Sequence, residues 1–410
     1  MALYMKTFVS RSTSDILAHL SHIQLAHSPF VTLFALSAPP VLGTSSLSSL
    51  VAKLTSLSDS CIGALSAPIP SAHSSIACSI ALFDKRYVTP FRSTIPGRQA
   101  AQVGRWHAFR TREDDAPAVA ENGADCLKHI DAKDVSSVVF LSDGAPEGLC
   151  TALQAFPSAH KLGLVASSTP FVTGRPYTLF HGKSVHSSGA VGLCLSSPTR
   201  PRGRLSLPKT QALTEPLVVT QMEGNLIYTL NDVNPTRLLL SAIERNNKGS
   251  PHGRKDWITK DDQFYLGVLR QADGLGEIQQ VYHITSGDPS RGTLAVESEH
   301  APAKSSRVQF FHVPATSIST PDVLSHFTSS AAEKMFTLAF SAAPSDETDT
   351  TLSQAENAEG MIVLEDTFLA ASENGLIVDP SVPVGMQERR VDGWKCTMPG
   401  SAFSLEWHRS

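Results

Sequence analysis

The sequence is poor in charge and has no long apolar run. Charged residues make up only 18% of its 410 positions, and the net charge is −4 with the histidines counted neutral. A chain that binds nucleic acid usually has a basic excess over a whole domain, so this balance argues against a nucleic-acid partner. No window holds about 18 consecutive apolar residues, so the sequence predicts no membrane-spanning helix. Hydrophobic residues still reach 41%, which is enough for a large core.

Metal-binding and disulfide patterns are also missing. The chain has six cysteines and 15 histidines, but it has no C-x-x-C pair and neither of the histidine spacings H-x-x-x-H and H-E-x-x-H. We therefore predict no metal site and no cofactor. Several cysteines, such as Cys78 and Cys194, lie in apolar strings. That placement favours buried free thiols in a reducing compartment.

The amino terminus is compatible with two compartments. It has no compact apolar core of a secretory signal, and a cytoplasmic location is our first prediction. Residues 1–30 contain Lys6 and Arg11 against a single acid, Asp15, which is weakly similar to a mitochondrial presequence and makes the mitochondrion the alternative. The same stretch also reads as an ordinary helix with Ser14 as its cap.

No motif of a known reaction is present. A serine hydrolase of the α/β type carries G-x-S-x-G, and nucleotide-binding loops carry glycine-rich patterns that follow a strand. The chain contains neither. We therefore predict a non-catalytic protein, with an unrecognised hydrolase that uses Ser167 or Cys194 as an alternative.

The order of predicted elements repeats within the first half of the chain. A strand, a helix and two strands span residues 31–84, and the same order returns over residues 137–197. The predicted elements are 31–39, 45–58, 61–68 and 74–84 in the first unit, and 137–146, 146–156, 160–170 and 189–197 in the second. Apolar runs that end in turn residues predict the strands, and leucines at helical spacing predict the first helix. We interpret the two β-α-β-β units as an internal pseudo-repeat.

The second half follows a stretch rich in proline and arginine. It opens with a predicted hairpin over 216–230 and a helix for which Asn234 is the cap and Pro235 the first residue. Further strands follow to the end of the chain.

Together these patterns predict an α+β fold. We expect two layered domains over residues 1–205 and 206–410, with mixed or antiparallel sheets and helices on the outside.

Several of these strings resemble the FIST family, whose paired amino- and carboxyl-terminal domains are named after F-box and intracellular signal-transduction proteins. The amino-terminal resemblance rests on LGLVASSTPFVTGRPYTLF (162–180) followed by GAVGLCL (189–195). The carboxyl-terminal resemblance rests on PLVVT…EGNLIYTLNDVNPTRLLL (216–240), RGTLAVESEHAPAKSSRVQFFH (291–312) and FLAASENGLIV (368–378). The resemblance implies a sensory pair of domains that binds small ligands.

The chain departs from the family name in one respect, because no F-box pattern precedes the first predicted strand. We therefore predict a non-catalytic sensory or adaptor protein that binds a small anionic or zwitterionic metabolite. The alternative is a protein-interaction module linked to a ubiquitin ligase, with a protein partner.

Small polar residues follow several of the apolar strands, where loops often build binding sites. The candidate ligand-binding residues are Ser66, Ser167, Ser168, Thr169, Arg175, Glu373 and Asn374. We expect the loops that carry them to meet at one cavity. Serines at strand ends are also common as turn residues that bond their own backbone, and that alternative stays open.

A basic and aromatic cluster lies between the two units, in the string IPGRQAAQVGRWHAFR (95–110). Arg98 and Arg105 could hold an anion beside glycine N–H groups, or the segment could bind nucleic acid or a protein partner. The fourth interpretation is a loop in which Trp106 fills a gap in the core and the arginines bond nearby carbonyl groups.

Overall fold

The computed structural model describes most of the chain. The described residues are 2–23, 29–37, 43–70, 72, 74–97, 127, 129–197, 199–248, 262–270, 277–313, 335–344, 360–380 and 393–409.

Strands outnumber helices along the described residues. The strands up to residue 206 are β1 (Ala2–Ser10), β2 (Phe30–Ser37), β3 (Cys61–Ser66), β4 (Ile76–Asp84), β5 (Val88–Ser93), β6 (Ser137–Ser142), β7 (His160–Val165), β8 (Leu179–His181), β9 (Ser184–His186), β10 (Ala190–Leu195) and β11 (Arg202–Ser206). The later strands are β12 (Gln211–Ala212), β13 (Leu217–Glu223), β14 (Leu226–Leu230), β15 (Phe264–Leu269), β16 (Ile278–Asp288), β17 (Thr293–Val296), β18 (Arg307–His312), β19 (Met335–Ala342), β20 (Ile362–Glu365), β21 (Thr367–Ser372), β22 (Leu376–Asp379), β23 (Trp394–Cys396) and β24 (Ala402–His408). The α-helices are α1 (Thr13–Ser21), α2 (Thr44–Thr55), α3 (Glu147–Ala152), α4 (Pro170–Thr173) and α5 (Pro235–Lys248).

The strands of the described residues form four sheets, so the fold mixes helices with several sheets as predicted. Sheet A has the order β20-β1-β4-β2-β3-β8-β9, and sheet B has the order β23-β22-β7-β6-β10-β5. Sheet C has the order β11-β24-β19-β21, and sheet D has the order β12-β18-β13-β14-β17-β16-β15. Strand β18 also pairs with β15, which closes six strands of sheet D into a barrel.

Sheets A and B each contain a three-strand group with the same order and directions. In sheet A, β2 is parallel to β3 and antiparallel to β4, and in sheet B, β6 is parallel to β7 and antiparallel to β10. The register places Phe34 beside Gly63 and Phe140 beside Gly163. A Cβ atom would lie 2.3 Å from the Phe34 ring at Gly63 and 2.2 Å from the Phe140 ring at Gly163. Each glycine therefore leaves room for the phenylalanine on the neighbouring strand.

The first strand, β1, is an element that the sequence analysis did not predict. It lies between β4 and β20 in sheet A and is mostly buried. Helix α1 follows directly, and its cap is Ser12 rather than the predicted Ser14, because the Ser12 side chain accepts a hydrogen bond from the Asp15 N–H group. The amino terminus is thus part of the sheet.

Strands from the end of the chain complete the sheets that the beginning of the chain starts. Strand β20 pairs with β1 in sheet A, and β22 pairs with β7 in sheet B. The predicted boundary between residues 205 and 206 falls inside β11, which pairs with β24. Whether residues 1–205 and 206–410 fold independently stays a prediction.

Buried polar contacts join sheet A to β21 of sheet C. Thr7 Oγ1 donates to the Thr367 carbonyl over 2.9 Å and accepts from the Leu369 N–H group, also over 2.9 Å. The Ser79 hydroxyl donates to the Leu369 carbonyl. The Thr7 and Ser79 hydroxyls therefore find protein partners in place of the water that they lose between the layers.

The start of helix α5 agrees with the prediction. Pro235 is its first residue, and Asn234 Oδ1 accepts a hydrogen bond from the Arg237 N–H group over 3.1 Å. The preceding hairpin consists of β13 and β14, as the sequence predicted for residues 216–230.

Candidate functional site

The structure brings most of the predicted site residues together at one end of sheets A, B and C. Ser167 and Ser168 follow β7, Ser66 ends β3, and Glu373 follows β21. The Ser167 N–H group donates to the Leu65 carbonyl next to Ser66, over 3.3 Å. We call this group of loops the strand-end cluster.

Glu373 is the centre of the strand-end cluster. Its Oε2 atom accepts from the Ser167 hydroxyl and its Oε1 atom accepts from the Ser168 N–H group, both over 2.7 Å. Asn374 Nδ2 donates to the Ala166 carbonyl over 2.9 Å. The loop after β21 is therefore bonded to the loop after β7, and these polar groups have partners within the protein.

Thr169 and Arg175 flank this centre. Thr169 is buried, and its Oγ1 atom donates to the Arg175 carbonyl over 3.0 Å and lies 2.7 Å from Thr178 Oγ1. Arg175 is exposed, and its guanidinium donates to the Ser187 hydroxyl over 2.8 Å. These contacts close the turn around α4 on itself, which is the behaviour of turn residues.

The two candidate nucleophiles have different surroundings. The Ser167 hydroxyl donates to the Glu373 carboxylate, which is a weaker base than the histidine that most often activates a serine. Cys194 lies within β10 and is only 1% exposed. Burial within a strand leaves the Cys194 thiol without access to a substrate.

The part of the basic and aromatic cluster from residue 98 to residue 110 lies outside the described residues. This applies to Arg98, Arg105 and Trp106. The last described residue before them is Gly97, where a Cβ atom would lie 2.0 Å from the Ala145 carbonyl oxygen. The chain therefore passes close to the start of α3 at that point.

A cavity of about 660 Å³ opens beside α3, between sheet B and the barrel of sheet D. We call it the α3 groove. It is lined by Phe140, Gly144, Pro146, Glu147, Cys150, Thr151, Leu153, Gln154, Lys161, Gly224, Asn225, Glu297, Ser298, Glu299, His300, Ile377, Asp379, Gly393, Trp394 and Lys395. Its volume lies in the range of small-molecule sites, about 300–1,000 Å³. No residue of the strand-end cluster lines it.

Sheet register explains the floor of the α3 groove. Lys395, Ile377, Gly163 and Phe140 stand in one row across β23, β22, β7 and β6. Residues in one row of a sheet point to the same face, and this is the face that α3 covers. The missing side chain at Gly163 leaves the Phe140 ring and Ile377 as the apolar part of the floor.

A buried ion pair forms one end of the floor. Lys161 Nζ lies 2.7 Å from Asp379 Oδ2, and the side chains are 3% and 14% exposed. The two residues are register partners on β7 and β22. A buried lysine is costly to desolvate unless it is paired, so this pair fixes a charged group of each sign at the base of the groove.

Glu297 forms a second charged centre on the opposite wall. Its Oε1 atom accepts from Lys395 Nζ over 2.9 Å, and its Oε2 atom accepts from the Thr397 hydroxyl over 2.7 Å. His283 Nδ1 lies 3.2 Å from the same Oε2 atom. Burial raises the pKa of Glu297, but the bonds from His283 and Thr397 and the charge of Lys395 outweigh burial and bring the pKa to about 2. Glu297 is therefore ionised at neutral pH.

Cys150 lines the groove on α3, but its thiol is poorly suited to nucleophilic chemistry. Burial, followed by the charges of Glu147, Asp379 and Glu299, raises the pKa of the thiol to about 12. The thiolate is the reactive form of cysteine, and it is scarce at neutral pH here. The groove thus offers charge recognition rather than a nucleophile.

Sequence reasoning missed the α3 groove because its residues are far apart in the chain. One signal was available: Lys161 and Asp379 stand at the ends of otherwise apolar strings, HKLGLV and LIVD. A charged residue that enters a buried strand needs a partner. Nothing in the sequence indicated that the two strands would be neighbours.

The chain was compared with models of known protein families. A family model described as the FIST N domain matches residues 25–233, which is just over half of the chain. No curated protein matches the chain significantly. In the described part of the chain, no helix has the length and apolar character to cross a membrane.

Proposed function

The chain belongs to the FIST family, a family of sensory domains, and we propose that it senses a small metabolite that binds in the α3 groove. The observation that carries the proposal is the buried pair of Lys161 and Asp379, which faces a cavity of about 660 Å³. Charged residues held in a cleft by burial and pairing are typical of functional sites.

The charges of the groove favour a zwitterion among the anionic and zwitterionic metabolites that we predicted from the sequence. The lining contains two lysines, Lys161 and Lys395. It contains four carboxylates: Glu147, Glu297, Glu299 and Asp379. A dianion would meet a surplus of negative charge, and repulsion of that kind is an effective source of specificity. We propose that the ammonium group of the ligand lies towards Glu299 and its carboxylate towards Lys395.

We also propose that the protein is not an enzyme. The surroundings of the candidate nucleophiles support this: Cys194 is buried in a strand, the raised pKa of Cys150 makes its thiolate scarce, and the base beside Ser167 is a carboxylate rather than a histidine. The hydrolase and the interaction module of a ubiquitin ligase remain alternatives. The α3 groove favours ligand binding over both.

Two finer features of the fold belong to the same proposal. We propose that the group β4-β2-β3 and the group β10-β6-β7 are pseudo-repeats, on the basis of their common strand order and their matching Phe–Gly neighbours. We propose that the part beyond residue 205 corresponds to the carboxyl-terminal FIST domain, on the basis of the sequence resemblance.

The proposal can be tested with three ligands that share a four-carbon chain and differ in charge. They are γ-aminobutyrate, a zwitterion; succinate, a dianion; and putrescine, a dication. Calorimetric titration and thermal unfolding of the full chain should show that γ-aminobutyrate binds most tightly. Tighter binding of either succinate or putrescine would contradict the proposal of a zwitterionic ligand, and absence of binding by all three would contradict the proposed function.

Two matched variants separate the α3 groove from the strand-end cluster. Glu299→Gln removes a charge from the groove without changing the size of the side chain, and we expect it to weaken γ-aminobutyrate binding by about tenfold, or about 1.4 kcal/mol. Arg175→Gln removes a charge from the strand-end cluster and should leave binding unchanged. If Arg175→Gln weakens binding and Glu299→Gln does not, the ligand binds at the strand-end cluster instead.

A further inference from the structure

Glu297 belongs to two features at once. Its carboxylate lines the α3 groove, and it also accepts bonds from Lys395 and Thr397, which lie on or just after β23. Its other partner, His283, lies on β16 of the barrel. We call Glu297 with these three partners the Glu297 cluster.

The Glu297 cluster connects the last strand of sheet B to the barrel. Strand β23 pairs with β22 along one side and packs against β16 of the barrel. Trp394 on β23 is 2% exposed and belongs to the same apolar core as Tyr265 on β15. Charged and apolar contacts therefore hold β23 on the barrel, and the charged ones open onto the groove.

We propose that Glu297 is a positioning residue that couples occupancy of the α3 groove to the docking of β23 on the barrel. The coupling rests on the proposed function, because it requires a charged ligand in the groove. The carboxylate of a zwitterionic ligand replaces Glu297 as the ion-pair partner of Lys395. The contact between β23 and the barrel then loses the ion pair between Lys395 and Glu297. Ligand binding would thus loosen β23, which gives the sensory protein a structural response.

Thermodynamic linkage gives this coupling a signature that a purely structural contact lacks. A ligand shifts an equilibrium only by binding one state more tightly than the other. The relation is reciprocal, so a substitution that loosens β23 must raise the affinity for the ligand. Removal of an ordinary structural contact gives no such gain.

Thr397→Val is the decisive substitution. It keeps the shape of the side chain, removes the hydroxyl that donates to Glu297, and substitutes no groove-lining residue. In the ligand-free full chain we expect faster amide hydrogen exchange over residues 394–398. We also expect γ-aminobutyrate to bind about 5-fold more tightly or better, the lower end of typical coupling.

The control is Thr285→Val. Thr285 lies on β16, and its hydroxyl donates to the Ala295 carbonyl over 3.3 Å rather than to a residue of the Glu297 cluster. This variant should show parental exchange at residues 394–398 and parental affinity. In the parent chain, γ-aminobutyrate itself should speed exchange over the same residues.

The outcomes separate the two proposals. If Thr397→Val binds γ-aminobutyrate no more tightly than the parent, or if its exchange at 394–398 is unchanged, the coupling is wrong while the proposed function stands. If the parent binds none of the three four-carbon ligands, the proposed function fails and the coupling fails with it.

Discussion

At the scale of single residues, the site depends on charges that the fold buries and then pairs. Lys161 is 3% exposed, and its partner Asp379 is 14% exposed. The net contribution of such a pair to stability is small, because desolvation offsets attraction. Removal of one partner is different, since it leaves the other charge buried without compensation.

Lys161→Met should therefore lower the free energy of unfolding by about 3 kcal/mol. The double variant Lys161→Met with Asp379→Leu should recover most of that loss, because no uncompensated charge remains. Denaturant unfolding of the two variants and the parent measures both quantities. Equal destabilisation of the single and double variants would show that packing, not charge, holds this position.

The pH dependence of stability should report Glu297. Its folded pKa of about 2 lies below the ordinary value of 4.5, so folding favours the ionised form. The contribution is fully present above pH 4.5 and is lost as the pH falls from 4.5 towards 2. Between pH 4.5 and pH 2, the free energy of unfolding of the Glu297→Gln variant should fall less than that of the parent. Acid titrations followed by circular dichroism measure this difference. If stability falls equally with pH in the two proteins, the Glu297 carboxylate is not stabilised by its contacts with Lys395, Thr397 and His283.

At the scale of elements, the Phe–Gly neighbours fix how adjacent strands fit together. Gly163 lies under the Phe140 ring in the floor of the α3 groove, and Gly63 lies under the Phe34 ring in sheet A. A methyl group at either glycine would overlap an aromatic ring that is fully buried. Both positions therefore require the ring or the strand to move on substitution.

Gly163→Ala should destabilise the protein by about 1–3 kcal/mol, the usual cost of overpacking a core. The substitution Phe140→Leu in the same chain should relieve part of this cost, because the smaller side chain vacates the space that the methyl group needs. Thermal unfolding of the single and double variants tests this. If Gly163→Ala melts like the parent, the close approach of the two residues is incorrect.

The strand-end cluster belongs to the same scale. Ser167, Ser168 and Glu373 come from two distant loops and satisfy one another's hydrogen bonds. The sequence analysis grouped these residues because small polar residues follow apolar strands, and it expected their loops to meet at one cavity, which stays a prediction. Their role in ligand binding stays a prediction, and Arg175→Gln tests it.

At the scale of the whole molecule, strands from the last part of the chain complete sheets that the first part begins. Strands β20 and β22 pair with β1 and β7, and they come from residues beyond 360. A fragment of residues 1–205 would expose the edges of β1 and β7, and free strand edges promote association. We therefore expect this fragment to aggregate when expressed alone.

Co-expression with residues 206–410 should restore a soluble complex of the two pieces, because it supplies the missing strands. Size-exclusion chromatography of both preparations checks this. A monomeric, cooperatively unfolding 1–205 fragment would show instead that the predicted domain boundary also separates two independent folding units.

The sequence by itself determined the local elements and the family. Apolar runs ending in turn residues gave β2, β3, β4, β6, β7 and β10 close to their observed bounds, and Asn234 with Pro235 gave the start of α5. These signals are local, since burial pattern and capping depend on residues a few positions apart. Strand β1 was missed because Tyr4, Lys6 and Thr7 interrupt its apolar pattern, and both of its neighbours, β4 and β20, are distant in sequence.

Only the tertiary structure decided where the charges meet. Lys161 and Asp379 are 218 positions apart, and Lys395 and Glu297 are 98 apart. The pairing of β22 with β7 and the packing of β23 on the barrel bring these four residues into the lining of the α3 groove. Strand pairing between distant segments depends on the packing of whole layers, which local pattern does not encode. The charged residues of the groove could therefore be noted from the sequence, but their contacts with one another could not be predicted from it.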